Sequence, residues 1–350
     1  MSATASDTTR VAQGRYARQV ILPSVGPDGQ ERLGRSRIGL IGVGALGSHV
    51  ADLLVRAGVG YLRLVDRDVP ELSNLQRQSL YTEDDLDSGV PKAAVAARRL
   101  AQANGDVTVD PRVADVNQGN IEGLIADLDL VVDGSDNFEL RYLLNDACVK
   151  LGKPWVYAGV IGSYGMTMSI VPGETPCLRC VFPDPPAAGE APTCDTAGVL
   201  GPAVAVVAGI QAAETLKLAL GADGARNRDL LAFDLWDLTF NRIAIGERRE
   251  DCVACGEHHY EFLDRSAPSQ TTQLCGRDAV QILVHPAPHL ALDALAGRLR
   301  SLGQVRVNQF LLRCAVDRYD LTVFPDGRAI IKGTSDDSEA RAVYARYIGM

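Results

Sequence analysis

What this sequence lacks first is an excess of positive charge. Its 35 lysines and arginines are outnumbered by 44 aspartates and glutamates, leaving a formal charge of -9 and a pI near 5.1. Nucleic-acid binders draw most of their affinity from neutralised phosphates, so a polyanion is excluded as the main partner, although a local basic pocket is not. No secretory leader is expected either. Met1 to Gln13 are small and polar, and 1–14 reads as a disordered tail. Nor is there a long apolar run free of polar groups. The most apolar stretch, Ala203 to Leu220, contains Gln211, Glu214 and Lys217, which marks a helix buried in protein rather than in lipid. Internal repeats and low-complexity tracts are absent. These absences point to a cytoplasmic protein with no membrane or nucleic-acid partner and with reduced thiols. The eight cysteines then read as metal ligands or reactive groups, not disulfides.

What is present has the balance of an ordinary globular protein, 46% hydrophobic and 23% charged. Short apolar strands alternate with helices: strand Arg37 to Val43, helix Ala45 to Ala57, strand Tyr61 to Val65, helix Pro91 to Asn104, strand Leu128 to Asp133, helix Asn137 to Leu151 and strand Trp155 to Val160. Two short helices precede them, over Tyr16 to Leu22 and Gln30 to Ser36. The alternation implies an α/β, Rossmann-like fold, a mostly parallel sheet with helices on both faces. Beyond Tyr164, strands over Met166 to Val171, Leu230 to Phe233 and Leu238 to Ile245 complete the sheet in mixed orientation, with an apolar helix from Val204 to Leu220 between them. Arg265 to Thr272 reads as a linker. We therefore expect a large α/β domain over 15–264 and a small C-terminal α+β domain over 265–350, built as strand, helix, several strands and helix.

The chemistry concentrates behind the first strand. Gly42-Val43-Gly44-Ala45-Leu46-Gly47 is a GxGxxG turn between strand and helix, where a helix N-terminus meets phosphate. Asp66 ends the second strand at the spacing from which a carboxylate holds ribose hydroxyls. To this point a nicotinamide-dependent dehydrogenase fits equally well. Then come Ser73-Asn74-Leu75-Gln76-Arg77, and Lys92 at a proline-led helix start. An arginine and a lysine converging on one pocket suit a triphosphate better than a nicotinamide, while either alone could be a solvated surface charge. Asp133-Gly134-Ser135-Asp136-Asn137 ends a later strand on the ligand-binding edge of such sheets. Asp136 could hold Mg²⁺ there, cap the adjoining helix, or do both.

Two CxxC pairs, Cys177/Cys180 and Cys252/Cys255, have the spacing of a closed, tetrahedral structural Zn²⁺ site. A redox pair or buried free thiols are the alternatives. His258 and His259 follow closely, but four cysteines already complete a shell. Cys148 and Cys314 sit in apolar patterns and read as core.

Together, Arg15-Tyr16-Ala17-Arg18-Gln19, the glycine loop, Leu64-Val65-Asp66-Arg67-Asp68, Ser73 to Arg77, Lys92 and Ser135-Asp136-Asn137 resemble the MoeB/ThiF/HesA family, the bacterial branch of the ubiquitin-activating superfamily. The resemblance runs to about Gly256. It implies a homodimer using ATP and Mg²⁺ to adenylate the C-terminal glycine of a ubiquitin-like sulfur carrier of the ThiS/MoaD kind, ending in Gly-Gly. It further implies that Asp66 binds ribose and that Asn74, Arg77 and Lys92 bind phosphates. Asp136 would hold Mg²⁺, and Arg18 would reach the partner subunit's site. Asp68, Ser73, Gln76 and Asn137 fall in the same motifs. The family often has glycine where this chain has Ala45, a small departure. By the same resemblance Cys194, in Thr193-Cys194-Asp195-Thr196-Ala197-Gly198, forms a thioester or acyl disulfide with the carrier; the alternative is a loop cysteine that adenylation does not need. Cys275 lacks the loop of a sulfurtransferase, so the sulfur donor is expected to be another protein, such as a cysteine desulfurase or sulfurtransferase. A non-catalytic carrier-binding scaffold is the remaining alternative. The chain ends in Gly349-Met350 and is not read as a carrier itself.

Overall fold

A computed structural model describes residues 14–86, 88–186, 194–265, 271–274, 278–284 and 288–349. It divides into two compact units: the chain up to Glu83 with Lys92–Arg265, and Asp84–Pro91 with the chain beyond Arg265.

The first unit begins with α1 (Ala17–Val20) and α2 (Gly26–Arg35), then β1 (Arg37–Ile41), α3 (Ala45–Ala57), β2 (Tyr61–Val65), α4 (Lys92–Ala103), β3 (Thr108–Arg112), α5 (Ile121–Ile125), β4 (Leu130–Asp133), α6 (Phe138–Lys150), β5 (Trp155–Ile161) and β6 (Tyr164–Ile170). Two short helices, α7 (Leu178–Val181) and α8 (Cys194–Ala197), lead to the long α9 (Gly201–Ala219), followed by β7 (Leu230–Asp234) and β8 (Thr239–Ile243). The sheet order is β3-β2-β1-β4-β5-β6-β7-β8. Pairings from β3 through β5 are parallel and those from β5 to β8 antiparallel. The fold is thus Rossmann-like, with an antiparallel extension. Strand order reverses about β1, which opens a crevice beyond the carboxyl ends of β1 and β4, where such sheets bind ligands. The fully buried side chains of Ile38, Leu40, Leu62, Leu64, Val131 and Val132 show why these strands read as continuous apolar runs.

Helix α9 is long and apolar enough to cross a membrane, yet it packs on α3, β4, β5 and β6. Gln211 at its centre is fully buried and donates to the carbonyls of Asp133 (2.7 Å) and Val156 (3.0 Å). That polar anchor joins the helix to two central strands and makes it a core element of the protein.

Two strands depart from the sequence reading. β3 has no apolar alternation: Thr-Val-Asp-Pro-Arg is held by pairing with β2 at the sheet edge, where Pro111 is tolerated. Leu238, expected to open a strand, has φ +52° and lies in the turn before β8.

The second unit contains β9 (Thr271–Leu274), β10 (Ala279–Ile282), α10 (Leu292–Leu299), β11 (Gln304–Val307), β12 (Leu312–Val316), β13 (Tyr319–Val323), β14 (Ala329–Lys332) and α11 (Asp337–Tyr347). Its sheet, ordered β11-β12-β13-β14-β10-β9, is antiparallel throughout. Val280, Leu312, Cys314, Leu321, Val323 and Ile331 form one core with Leu295 and Leu299 of α10 and Val343 and Tyr344 of α11. The end of the expected linker is therefore strand β9; 266–270 and the expected tail over 1–13 lie outside the described residues. To this unit also belongs the segment Asp84–Pro91, where Gly89 presents its carbonyl to Asn308 Nδ2 at 3.1 Å.

Candidate nucleotide site and zinc centre

The glycine loop is shaped by contacts that admit no side chain. Gly42 has φ +91°, and a Cβ there would come within 2.7 Å of the Gly134 backbone. A Cβ on Gly47 would stand 2.0 Å from the Gly42 carbonyl oxygen. Gly42 therefore brings the β1 and β4 loops together, and Gly47 lets α3 start directly behind them. Helix α3 begins at Ala45 with no side-chain cap and no acidic residue in its first turn. Its free N–H groups make an anion site.

Asp66 is tied into this loop. One carboxylate oxygen accepts the Val43 N–H and the other the Asp68 N–H, both at 2.7 Å. Burial pushes its carboxyl upward, against the opposing pull of Lys92. Lys92, 5% exposed, opens α4 with its N–H on the Asp68 carbonyl (2.8 Å) and its Nζ 3.5 Å from the Asp68 carboxylate. Glycine loop, Asp66, Asp68 and Lys92 are thus one connected group.

The segment after β2 is fastened onto α3. His49 contacts the Arg77 carbonyl at 3.2 Å, Ser48 Oγ accepts the Ser79 N–H, and Tyr81 donates to the Val43 carbonyl at 2.7 Å. Arg77 itself donates to the Ser73 carbonyl through Nη1, while its buried Nε has no partner. Asn74, 2% exposed, accepts the Glu71 N–H and so closes a one-turn 3₁₀ helix. Ser73 and Gln76 are exposed.

At the start of α6, Asn137 rather than Asp136 is the capping residue. Asn137 is the N-cap of α6, accepting the Leu140 N–H at 3.3 Å. Asp136 is exposed, and capping does not explain it. Beneath them lies a buried network that the sequence reading missed. Asp133, fully buried, accepts the Ser135 N–H and hydroxyl (2.9 and 2.6 Å) and stands 3.3 Å from Arg141, which donates to the Ser135 carbonyl. Burial raises the Asp133 carboxyl, with the Arg141 charge opposing. The sequence shows an arginine one turn into the helix after Asp-Gly-Ser, but not its pairing with Asp133, which apolar periodicity does not reveal.

Arg18 is exposed on α1. Cys194 opens α8; its side chain lies outside the described residues, as does the whole of Cys275.

Cys177, Cys180, Cys252 and Cys255 converge, each with its Sγ within 4.8 Å of the others. Individual separations are 3.6 Å for Cys177–Cys252, 3.4 Å for Cys180–Cys255 and 3.9 Å for Cys177–Cys180. Tetrahedral bonds of about 2.3 Å to zinc place sulfurs about 3.8 Å apart, so this cluster could hold zinc with no position left for water. His258 and His259 turn elsewhere, to Tyr260 and Glu257. Helix α6 grips both arms of the staple: Asn145 Oδ1 accepts the Leu178 N–H and Asp146 Oδ2 the Phe262 N–H, each at 2.9 Å.

With this geometry established, comparison with known proteins is informative. The ThiF family model matches residues 16–254. The sulfur carrier protein ThiS adenylyltransferase of Bacillus subtilis is 45% identical over 338 residues, 96% of this chain and 99% of its own. The sulfur carrier protein adenylyltransferase of Thermus thermophilus is 43% identical over 254 residues, 71% of this chain and 93% of its own. Among solved structures, E. coli MccB with ATP superposes with a TM-score of 0.61 at 24% identity, over 70% of this chain and 75% of that one, a likeness of fold. The motif spacing, the doubly wound sheet and the extent of these matches agree: the chain belongs to the ThiF family.

Proposed function

We propose that this protein adenylates the C-terminal glycine of a ubiquitin-like sulfur carrier, consuming ATP and releasing pyrophosphate. One observation carries the reading. Gly42 packs on Gly134, and Asp66 joins the same loop to Asp68, whose carboxylate stands 3.5 Å from Lys92, which supports a common place for phosphate, a cation and the Asp136 loop. The names of the full-length and partial relatives support the same chemistry. The relative that matches along nearly its whole length favours a carrier of the ThiS type.

A carboxylate is a poor electrophile, and here it must approach an anionic triphosphate. Lys92 and Arg77 offset that repulsion and stabilise charge developing on the α-phosphate and departing pyrophosphate. Asp66 orients the ribose, and the α3 N-terminus fixes the phosphates for in-line displacement by the carrier's flexible tail. Asp136, exposed beside the glycine loop, is the ligand we assign to Mg²⁺, which would neutralise phosphate oxygens there. Arg18 fits a role in the partner's site of a homodimer. Cys194 fits a later covalent transfer, for which a cysteine desulfurase or sulfurtransferase in the cytosol supplies sulfur. The smaller unit, Asp84–Pro91 with the chain beyond Arg265, suits docking of the carrier or another partner.

The test is ATP–pyrophosphate exchange with candidate carriers ending in Gly-Gly. Exchange should appear with a ThiS-type carrier and fall about 100-fold or more in Arg77→Ala and Asp136→Ala. No exchange with any carrier, or undiminished exchange in both variants, refutes the reading.

A further inference from the structure

Under the loop that carries Asp136, an ion pair is buried where apolar packing would serve the fold as well. Asp133 is fully enclosed at the end of β4, and Arg141, one turn into α6, meets it at 3.3 Å. Taking two charges out of water commonly costs as much as their attraction returns, so stability alone is a weak reason to keep such a pair. Its bonds give a better one. Between them the two side chains engage every polar group of Ser135: Asp133 Oδ1 accepts its N–H and its hydroxyl, and Arg141 Nη2 donates to its carbonyl at 2.9 Å. The residues before it are held too. Gly134 gives its N–H to the Ile41 carbonyl, and Gln211 of α9 donates to the Asp133 carbonyl. A Cβ on Gly134 would stand 2.3 Å from the Gly42 carbonyl oxygen, so this loop lies directly against the glycine loop. Three residues are fixed, and the fourth, Asp136, is exposed with no partner for its carboxylate among the described residues.

We infer that Asp133 and Arg141 are positioning residues: through Ser135 they set where the Asp136 carboxylate stands, and so how tightly it holds the divalent ion that accompanies a triphosphate. This rests on the assignment of Asp136 in the adenylation reading and deepens it. A free carboxylate offers the hard oxygens that Mg²⁺ takes beside phosphate. On a slack loop it would have to be ordered each time the ion bound; on a loop already pinned at its backbone it need not be. The buried pair thus touches neither nucleotide nor ion, and acts on both through one exposed neighbour.

Isothermal titration of the full chain with ATP, once with Mg²⁺ and once with EDTA, tests this. In wild type Mg²⁺ should tighten binding, and Asp136→Ala should abolish that gain. Arg141→Lys keeps a cation beside Asp133, so no buried charge is left uncompensated, but it lacks the fork that also reaches the Ser135 carbonyl. It should bind ATP in EDTA as wild type does and lose about 10-fold or more in affinity with Mg²⁺. The paired replacement Asp133→Asn/Arg141→Met removes both charges at once and should lose the whole gain. Adding Asp136→Ala to it should change nothing further, because both act through one carboxylate. A Mg²⁺ gain kept in Arg141→Lys and in the paired replacement, or an additive effect of Asp136→Ala, overturns the inference. So does a fall in EDTA affinity that tracks a lower ligand-free melting temperature, since that is the mark of a structural role alone. If Asp136→Ala itself keeps the gain, the assignment of Asp136 fails and the inference with it. A wild type that binds no ATP at all instead refutes the adenylation reading, and both ideas fall together.

Discussion

At the scale of the residue, two neighbours on one loop separate stability from chemistry. Asn137 caps α6, so Asn137→Ala should lower the melting temperature, corresponding to a loss of about 1 kcal/mol. Asp136→Ala removes an exposed carboxylate that caps nothing and should leave unfolding within about 0.5 kcal/mol of wild type while abolishing exchange. Thermal melts and exchange rates on the two variants should therefore rank them oppositely. The sequence showed that an acid and an amide sat at a helix start, but not which of them the backbone would take as cap. That choice depends on the φ/ψ of a single residue, φ -114° and ψ 123° at Asn137. The glycines, Asp66, Arg77 and Lys92 were legible because they lie at fixed offsets in a known motif. Asp133 and Arg141 were not, because their meaning lies in being buried and in what stands opposite them.

At the scale of the element, α6 links the Asp133–Asn137 loop at its start to the cysteine staple in its third turn. Asp146 there is fully buried, and that burial pushes its carboxyl up to about 6 despite the Phe262 N–H and the Arg179 charge. The folded protein thus holds this proton more tightly than an unfolded chain, whose aspartates titrate near 3.9. The associated stability is complete below about pH 4 and is lost as pH rises through about 6. Asp146→Asn retains an acceptor for Phe262 without the charge. Its stability relative to wild type, read from urea unfolding, should improve by on the order of 2 kcal/mol between about pH 4.5 and about pH 7.5. A difference that stays flat over that range would refute the assignment. Elements with strong periodicity, such as α3 and β4, were readable to within two residues at their ends. The edge strand β3 was not, since Asp110 and Pro111 are poor strand formers and tertiary contacts, pairing with β2 above all, hold them extended.

At the scale of the whole molecule, the two units are not successive beads on the chain. The order of elements revealed an α/β unit followed by a small α+β unit, and both are present. It did not reveal that eight residues from the first half, Asp84–Pro91, belong with the second, because such membership is set by contacts over two hundred positions apart, such as Gly89 with Asn308. The next residue after this excursion is Lys92, the buried cation we propose for the nucleotide site. Ending the protein at Arg265 would therefore not be a tidy excision. It would strip the tether's far anchor and leave a frayed leash immediately upstream of α4. Hydrogen exchange at 88–91 should accelerate in the shortened protein, and its ATP affinity should drop even though no crevice side chain has been deleted.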